Sequence, residues 1–367
     1  MRMENSTFFP SSPNPLALQL EEGEEEYAPM EDMPSELETT LRYLSIIIYS
    51  ISFLLGTTGN GLVIWIAGFR MKRTVNTVWF LNLAIADFIF TFFLPLSIAY
   101  TALGFHWPFG TLLCKLNSTV AFLNLFASVF LLTIISADRC VSIVRPVWAQ
   151  NHRTTRLASA IALAIWLGAF CLCSPYLAFR DTIRDPETNV THCYNNYAFS
   201  NDFDDLEVVA LRSMRHQVMI SVRFLFGFLL PFGLILVFYS LMALKLRRSQ
   251  LSWSSRPFKV MATVVAAFFL CWFPYHILSV LEVVMHHWDN KGLKSAVLIG
   301  SPLATSLAFF NSCLNPFLYV FLGRDFKESL RRSILLAFES AFSEEHGKNN
   351  YSQGKSRSVS DQESQFT

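Results

Sequence analysis

The sequence predicts an all-α membrane protein: a bundle of seven transmembrane helices, followed by a short amphipathic helix on the membrane surface. Three observations predict it. Hydrophobic residues make up 52% of the 367-residue chain and charged ones only 16%, against roughly a quarter charged in an average soluble domain. Apolar stretches recur at the length a bilayer core demands, about 20 residues, and run continuously rather than alternating, which selects helices over barrel strands. The basic residues between them fall on one side of the implied membrane.

In chain order, residues 1–40 read as a disordered acidic extracellular tail. Nine acidic residues and no basic one stand between Glu21 and Glu38, a composition too polar and like-charged to build a core. Two readings of the tail stay open: a bait for basic ligands, strengthened by sulfation of Tyr27, or a merely solvated, glycosylated segment. Asn5 and Asn189 head outward-facing glycosylation signals, whereas Asn117-Ser118-Thr119 fits the pattern but lies inside the third segment. No cleavable-signal pattern precedes Thr40, so the first segment is expected to serve as an uncleaved anchor.

The seven-helix domain occupies 41–321, with segments near 41–69, 76–103, 111–144, 157–179, 213–246, 257–287 and 295–321. Arg70, Lys72 and Arg73 follow the first; Arg145, Arg153 and Arg156 follow the third; Lys245, Arg247, Arg248, Arg256 and Lys259 lie between the fifth and sixth. That side is cytoplasmic by the positive-inside bias, which puts the N-terminus of a multi-pass membrane protein outside. Residues 322–342 carry Phe326, Leu330, Ile334, Leu335 and Phe338 at helical spacing with Arg and Lys between, an amphipathic helix against membrane lipids. Residues 343–367 read as a disordered cytoplasmic tail. Its serines are either phosphorylation sites that recruit a partner through added charge, or parts of a generic polar end.

Cysteine usage agrees with this topology. Of seven cysteines, only Cys114 and Cys193 fall at outer positions, where an oxidising compartment favours a disulfide. Cys140, Cys171, Cys173, Cys271 and Cys313 lie within apolar runs and read as buried small hydrophobes. Polar groups inside the bundle carry more information. Asn60, Asp87, Asn124, Ser128, Asn311, Ser312 and Asn315 fall mid-helix, and an unpaired Asp87 in hydrocarbon is costly enough to require interior partners. Pro274 and Pro316 interrupt the ladders of the sixth and seventh helices. Asp138-Arg139 places a charge pair at the inner end of the third, where only a functional contact justifies it.

Ala137-Asp138-Arg139-Cys140, Cys271-Trp272-Phe273-Pro274 and Asn315-Pro316-Phe317-Leu318-Tyr319, in this order and at these depths, resemble the rhodopsin-like G-protein-coupled receptors over about residues 40–340. The resemblance implies a sodium ion bound by Asp87, Asn124 and Ser128, against plain interhelical hydrogen bonding. It also implies a ligand-sensing Trp272 beside the Pro274 kink, and rearrangement of Arg139, Tyr239 and Tyr319 to admit a heterotrimeric G protein. Cys140 replaces the Tyr most relatives carry, a variant shared with leukocyte chemoattractant receptors. Phe105-His106-Trp107-Pro108-Phe109-Gly110, Pro146-Val147-Trp148 and Phe179-Arg180-Asp181-Thr182 are similar to chemerin, formyl-peptide and chemoattractant prostaglandin-D receptors. Cys193-Tyr194-Asn195-Asn196 and Glu282 lean towards the chemerin receptors. Phe122 and Met219 stand where formyl-peptide receptors carry an Asp and an Arg, which argues against high-affinity formyl-peptide recognition.

For the ligand, Arg180 at the end of the fourth helix and Arg223 within the fifth place two guanidinium forks over an aromatic cavity of Tyr100, Phe122, Tyr275 and Phe309, with His276 nearby. Such forks suit a carboxylate; the competing reading pairs them with Glu282 or Asp181. The expected function is a chemoattractant receptor for an extracellular peptide (chemerin-like) or carboxylate ligand, coupled to inhibitory-class G proteins. The alternatives are a receptor for a lipid acid of prostaglandin or resolvin type and a non-signalling decoy. An enzyme needs a nucleophile–base or metal constellation and a transporter needs repeats or a polar pathway; the sequence shows neither. No cofactor beyond the sodium, no further metal and no nucleic-acid partner is expected.

Overall fold

The computed structural model describes residues 35–200, 205–248, 256–285 and 291–322, with Glu328 and Arg331 beyond them, and side chains for all of these except 256–260, 285, 291 and 319–322. Asn5, Tyr27, most of the 322–342 helix and the 343–367 tail lie outside the described residues. Seven helices among the described residues are long and apolar enough to cross a membrane. They are α1 (Ser35–Arg70), α2 (Val75–Ala102), α3 (Gly110–Val144), α4 (Thr155–Phe179), α5 (Leu206–Arg248), α6 (Arg256–Met285) and α7 (Lys291–Leu322). A short helix, Pro146–His152, joins α3 to α4. An antiparallel hairpin, β1 (Arg180–Arg184) and β2 (Thr191–Asn195), joins α4 to α5.

Three helices start well before the apolar pattern predicts, α1, α5 and α7, the last at Lys291. α1 begins at Ser35 with Glu36 and Glu38 in its first turn, where the helix dipole favours acidic side chains. The last residues of the expected disordered tail are therefore helical. α5 begins at Leu206, capped by the Asp205 carboxylate accepting from the Glu207 amide at 2.9 Å. Hydropathy cannot see such polar ends; caps can. The α2 start is the clearest: Thr74 Oγ1 accepts from the Thr77 amide while Thr77 Oγ1 accepts from the Thr74 amide.

The bundle is packed inside out relative to a soluble protein. The buried stripe of α1 is Leu41, Ser45, Tyr49, Ser52, Gly56, Asn60 and Val63, one helical face. Ile47, Ile51, Leu54 and Leu62 are exposed. Small and polar residues let helices approach closely where lipid supplies no hydrophobic drive between them. α3 is the central post, with 67% of its apolar window buried against 22% for α5. Cys171 corrects the expectation for the free cysteines: it faces outward from α4, while Cys140, Cys173, Cys271 and Cys313 are buried.

Five prolines stand inside α2, α4, α6 and α7, and each leaves the carbonyl four residues earlier without its amide partner. In hydrocarbon such a carbonyl needs another donor. Pro175 frees Cys171 O, which accepts from Ser174 Oγ at 2.9 Å. Pro316 frees Ser312 O, which accepts from Asn60 Nδ2 of α1 at 2.8 Å. In α5 a single π-helical turn, Leu225–Leu229, precedes Pro231; such a turn inserts one extra residue.

The hairpin sits over one end of the bundle. Cys193 on β2 is joined to Cys114 at the start of α3, with Cα atoms 5.7 Å apart. The Trp107 amide donates to Thr191 O at 2.7 Å and the Asn196 amide to Phe179 O at 2.6 Å. The Thr191 amide also donates to His106 Nδ1 at 3.0 Å, and Thr182 Oγ1 lies 2.6 Å from Thr111 Oγ1, so both strands are tied down.

The closest helix approach supplies a test. A Cβ on Gly56 would lie 2.5 Å from Thr91 Cγ2. Gly56→Ala is expected to destabilise the protein by about 1–3 kcal/mol, the range for an overpacked interior. Adding Thr91→Ser, which deletes the clashing methyl, should restore most of the thermal stability of the detergent-purified protein. An unshifted melt for Gly56→Ala alone contradicts this packing.

Candidate ligand-binding and signalling site

A cleft opens at the hairpin end between α2, α3, α6 and α7. Its walls are aromatic, with Phe90, Phe93, Phe122, Tyr275 and Phe309 around Trp272. Ser97, Asn117 and Ser118 form one polar edge, tied by Asn117 Nδ2 to Ser97 Oγ at 3.3 Å. Arg180 is the charged residue of the lining and is 4% exposed. Its Nη1 donates to Cys193 O at 3.2 Å, and its Nε has no hydrogen-bond partner among the described residues. The hairpin thus aims a buried cation into an aromatic cleft.

The expected pocket residues divide. Phe122, Tyr275, Phe309 and Arg180 line the cleft. Arg223, 1% exposed, stands behind it: its guanidinium lies 5.2 Å from the Phe122 ring and 5.3 Å from that of Tyr275, with Nη1 3.4 Å from the Tyr176 hydroxyl. Its charge is clasped by the walls rather than presented directly. Tyr100, His276 and Glu282 do not line this cleft. Tyr100 packs edge-on against Phe105 and Trp107 under the disulfide, because the chain turns back at Gly104, whose φ is +65°. His276 lies among Phe224, Phe228, Trp272 and Tyr275. Sequence reasoning missed the α2 face of the cleft (Phe90, Phe93, Leu94 and Ser97), Thr305 on α7, and Asn117 and Ser118 on α3; for the last two, polar side chains one turn below Cys114 were the available signal.

Midway down, Asp87 is fully buried. Its Oδ1 accepts from Asn124 Nδ2 at 2.9 Å and its Oδ2 from Asn315 Nδ2 at 2.6 Å. Ser312 Oγ donates to Asn124 Oδ1 at 3.3 Å, and Ser128 Oγ lies 3.5 Å from Asn124 Nδ2. The expected sodium residues are therefore brought together, and none of the described partners of Asp87 carries a charge. Trp272 packs on Phe268 and Tyr275 between this cluster and the cleft.

At the other end, Asp138 is held by two cations. Arg153, from the loop before α4, grips both carboxylate oxygens, at 2.7 Å and 3.0 Å, while Arg139 reaches only one, at 3.3 Å. Asn76 Oδ1 at the foot of α2 accepts from both arginines. Tyr239 of α5 packs beside Cys140 and Met242 and bonds to Ser136. Tyr319 is in the last turns of α7, and its side chain is outside those described. Arg153 and Asn76 were not expected as switch residues. The short Pro146–His152 helix brings Arg153 back to Asp138, a fold-back no periodicity reveals.

Beside the cleft, Asn189 caps the hairpin turn at φ +61° and accepts from Arg184. Burial pushes the His192 imidazole below its usual value, with Asp185 opposing and His106 reinforcing. An unfolded hairpin therefore binds a proton more readily than a folded one. The resulting stability is fully present above about pH 6.5 and is lost as pH falls below it. The melting temperature of the purified protein should drop between pH 7.5 and pH 5.5, and His192→Gln should flatten that drop. Parallel slopes for wild type and variant would remove His192 from the account.

Residues 59–319 match the model of the 7 transmembrane receptor (rhodopsin family). Human chemerin-like receptor 1 is 46% identical over 328 residues, covering 88% of this chain and 86% of that protein. Chemerin-like receptor 2 of Rattus norvegicus is 45% identical over 294 residues, 80% of each chain. N-formyl peptide receptor 3 of Pan troglodytes is 43% identical over 307 residues, 83% of this chain and 87% of that protein. These relatives are receptors and not enzymes, and the seven membrane-length helices agree with that family. The chain belongs to the rhodopsin family of seven-transmembrane receptors, within its chemoattractant cluster.

Proposed function

We propose that this chemoattractant receptor sits in the plasma membrane with its N-terminus and hairpin outside, binds an extracellular ligand through a carboxylate, and activates inhibitory-class heterotrimeric G proteins. The observation that carries the ligand class is Arg180, a nearly buried guanidinium lining an aromatic cleft. A carboxylate takes such a fork in two charge-assisted bonds, and the aromatic walls accept an apolar side chain or acyl chain beside it. Arg223, behind Phe122 and Tyr275, adds positive potential to the same region. A chemerin-like peptide C-terminus fits this description and is the reading favoured by the 46% identity to human chemerin-like receptor 1.

Signalling follows from what a ligand displaces. A body wedged against Trp272 shifts the outer half of α6 about Pro274, and the inner half moves away from α3. Arg139 then leaves Asp138 and turns to a G-protein helix, with Tyr239 and Tyr319 as its new neighbours, and phosphorylation of the C-terminal serines by receptor kinases would engage arrestin. Asp87, Asn124 Oδ1 and Ser128 Oγ offer an all-oxygen set that fits a hard cation, and a buried carboxylate among neutral amides favours one. Sodium bound there would balance Asp87 and hold α2, α3 and α7 in the resting arrangement.

One assay tests the first claim. In cells reporting cAMP inhibition, Arg180→Ala should weaken a carboxylate-ended agonist by about 1.5–3 kcal/mol, the range for a charge-assisted hydrogen bond. Esterifying the agonist should cost wild type a similar amount and the variant little more, because both changes delete one interaction. Strictly additive losses, or binding without any cAMP response in wild type, would overturn the ligand class or the coupling respectively.

The sodium reading has its own readout. Agonist affinity of wild type should fall when choline chloride is replaced by sodium chloride at equal ionic strength, and Asp87→Asn should abolish that dependence. Equal sodium insensitivity in both proteins rejects the site.

A further inference from the structure

The hairpin is held by the loop that joins α2 to α3, and one of the bonds that hold it exists only while a proton is absent. Gly104 and Phe105 both take left-handed φ, +65° and +61°, so the chain reverses after α2 and lays His106 and Trp107 along the edge of β2. There the Trp107 amide donates to Thr191 O at 2.7 Å, and the Thr191 amide donates to His106 Nδ1 at 3.0 Å. The second bond needs a lone pair on Nδ1. An imidazolium has none to offer, because both its ring nitrogens are donors. Acid turns this contact into two N–H groups facing each other.

Strand β2 carries a second histidine close to the first. His192 is 7% exposed, and burial holds its imidazole below the usual value, with Asp185 opposing and His106 reinforcing. Asp185, in the hairpin turn, is the anion set against it. The Thr188 hydroxyl and the Glu187 amide bond to that carboxyl and keep it below the usual range, so it stays ionised where a histidine titrates. Asp181 shares the His192 face of the hairpin, opposite Tyr194. Arg184 is turned to Asn189, and Lys115 of α3 to the Leu177 carbonyl. A proton on each imidazole would therefore set two cations beside Asp185, and like charges disfavour that state.

What these contacts position is the cation of the cleft. Arg180 Nη1 donates to Cys193 O at 3.2 Å, and Cys193 is next to His192 and two residues from Thr191. The disulfide holds Cys193 by its side chain; its carbonyl points where the strand backbone directs it. We propose that His106 and His192 are positioning residues for Arg180: with both rings neutral the loop grips β2 and Arg180 faces the cleft, whereas protonation frees Thr191, turns the Cys193 carbonyl and lowers the affinity for a carboxylate ligand. The ligand half of this rests on the reading of Arg180 given above; the clamp itself does not.

The test reads both halves on the full chain in nanodiscs. Amide hydrogen exchange of residues 191–195, corrected for the intrinsic effect of pH, reports the clamp without any ligand. At pH 5.5 a histidine with the ordinary value of about 6.5 is roughly 90% imidazolium, so protection in wild type should fall roughly tenfold from pH 7.5. Residues 123–133 of α3 should keep theirs. His106→Asn brings an amide oxygen, which does not titrate, to the neighbourhood of Nδ1, and should retain most of the protection at pH 5.5. If that variant does not fold, His192→Gln, which spares the Thr191 bond, should remove part of the acid loss. No loss in wild type, an equal loss in the substituted protein, or a matching loss in α3 would overturn the clamp. Affinity for a labelled chemerin-like peptide with a free C-terminal carboxylate should fall by a similar factor in wild type and stay level in His106→Asn. Affinity that ignores pH while residues 191–195 respond would cut the link to Arg180. A peptide that Arg180→Ala binds as well as wild type does would sink the ligand reading alone, and the exchange result would still decide the clamp.

Discussion

One hydrogen bond organises the middle of this receptor: the Asn60 amide of α1 to the Ser312 carbonyl of α7, a carbonyl that Pro316 deprives of its own helix partner. In water such a break is filled by solvent; inside a bilayer it must be filled by protein. The proline can kink α7 only because α1 delivers a donor to that spot. Delivery needs close approach, and a Cβ on Gly59 would fall 2.9 Å from the Pro316 ring. The same Asn60 also donates to Gly56 O at 2.9 Å, which fixes its side chain along α1.

From that bond the rest of the inner network follows. Ser312, whose carbonyl Asn60 holds, gives its hydroxyl to Asn124, and Asn124 gives its amide to Asp87. Asn315, on the next turn of α7, closes the circuit onto the other Asp87 oxygen. Four helices are thus joined through neutral amides and hydroxyls to one anion. Such bonds are each modest in a membrane, but none can be broken without orphaning another. The network therefore has few arrangements.

The parts of this architecture that were legible in the sequence are those encoded locally. Asp138-Arg139, Trp272 with Pro274, and Asn315 with Pro316 each announce themselves within a few residues, and Cys114 and Cys193 are the two cysteines outside the apolar runs. What was hidden depends on chain path or on helix phase. Arg153 meets Asp138 because a seven-residue helix folds the loop back, and nothing in the spacing records that turn. Tyr100 faces Trp107 instead of the cleft because the chain reverses at Gly104 and Phe105. Arg180 reaches the cleft because the β1 strand begins at that residue and the disulfide holds its partner strand over α3; the hydropathy of α4 ends just before both facts matter.

The π-helical turn of α5 has a consequence for how this chain can vary. An α-helix advances 100° per residue, so the one residue added between Leu225 and Leu229 rotates everything on the hairpin side of it by about that angle relative to a regular helix. Arg212, His216, Met219 and Arg223 form the buried stripe of that half, and they face inward in this rotated frame. Deleting a single residue from the turn would leave the membrane-crossing length almost unchanged, yet it would swing three basic side chains towards lipid and bring different neighbours inward. Hydropathy would register no difference between the two proteins. The azimuth of α5, and with it the charge that stands behind the cleft's Phe122 and Tyr275 walls, is thus written in the count of five residues rather than in which residues they are.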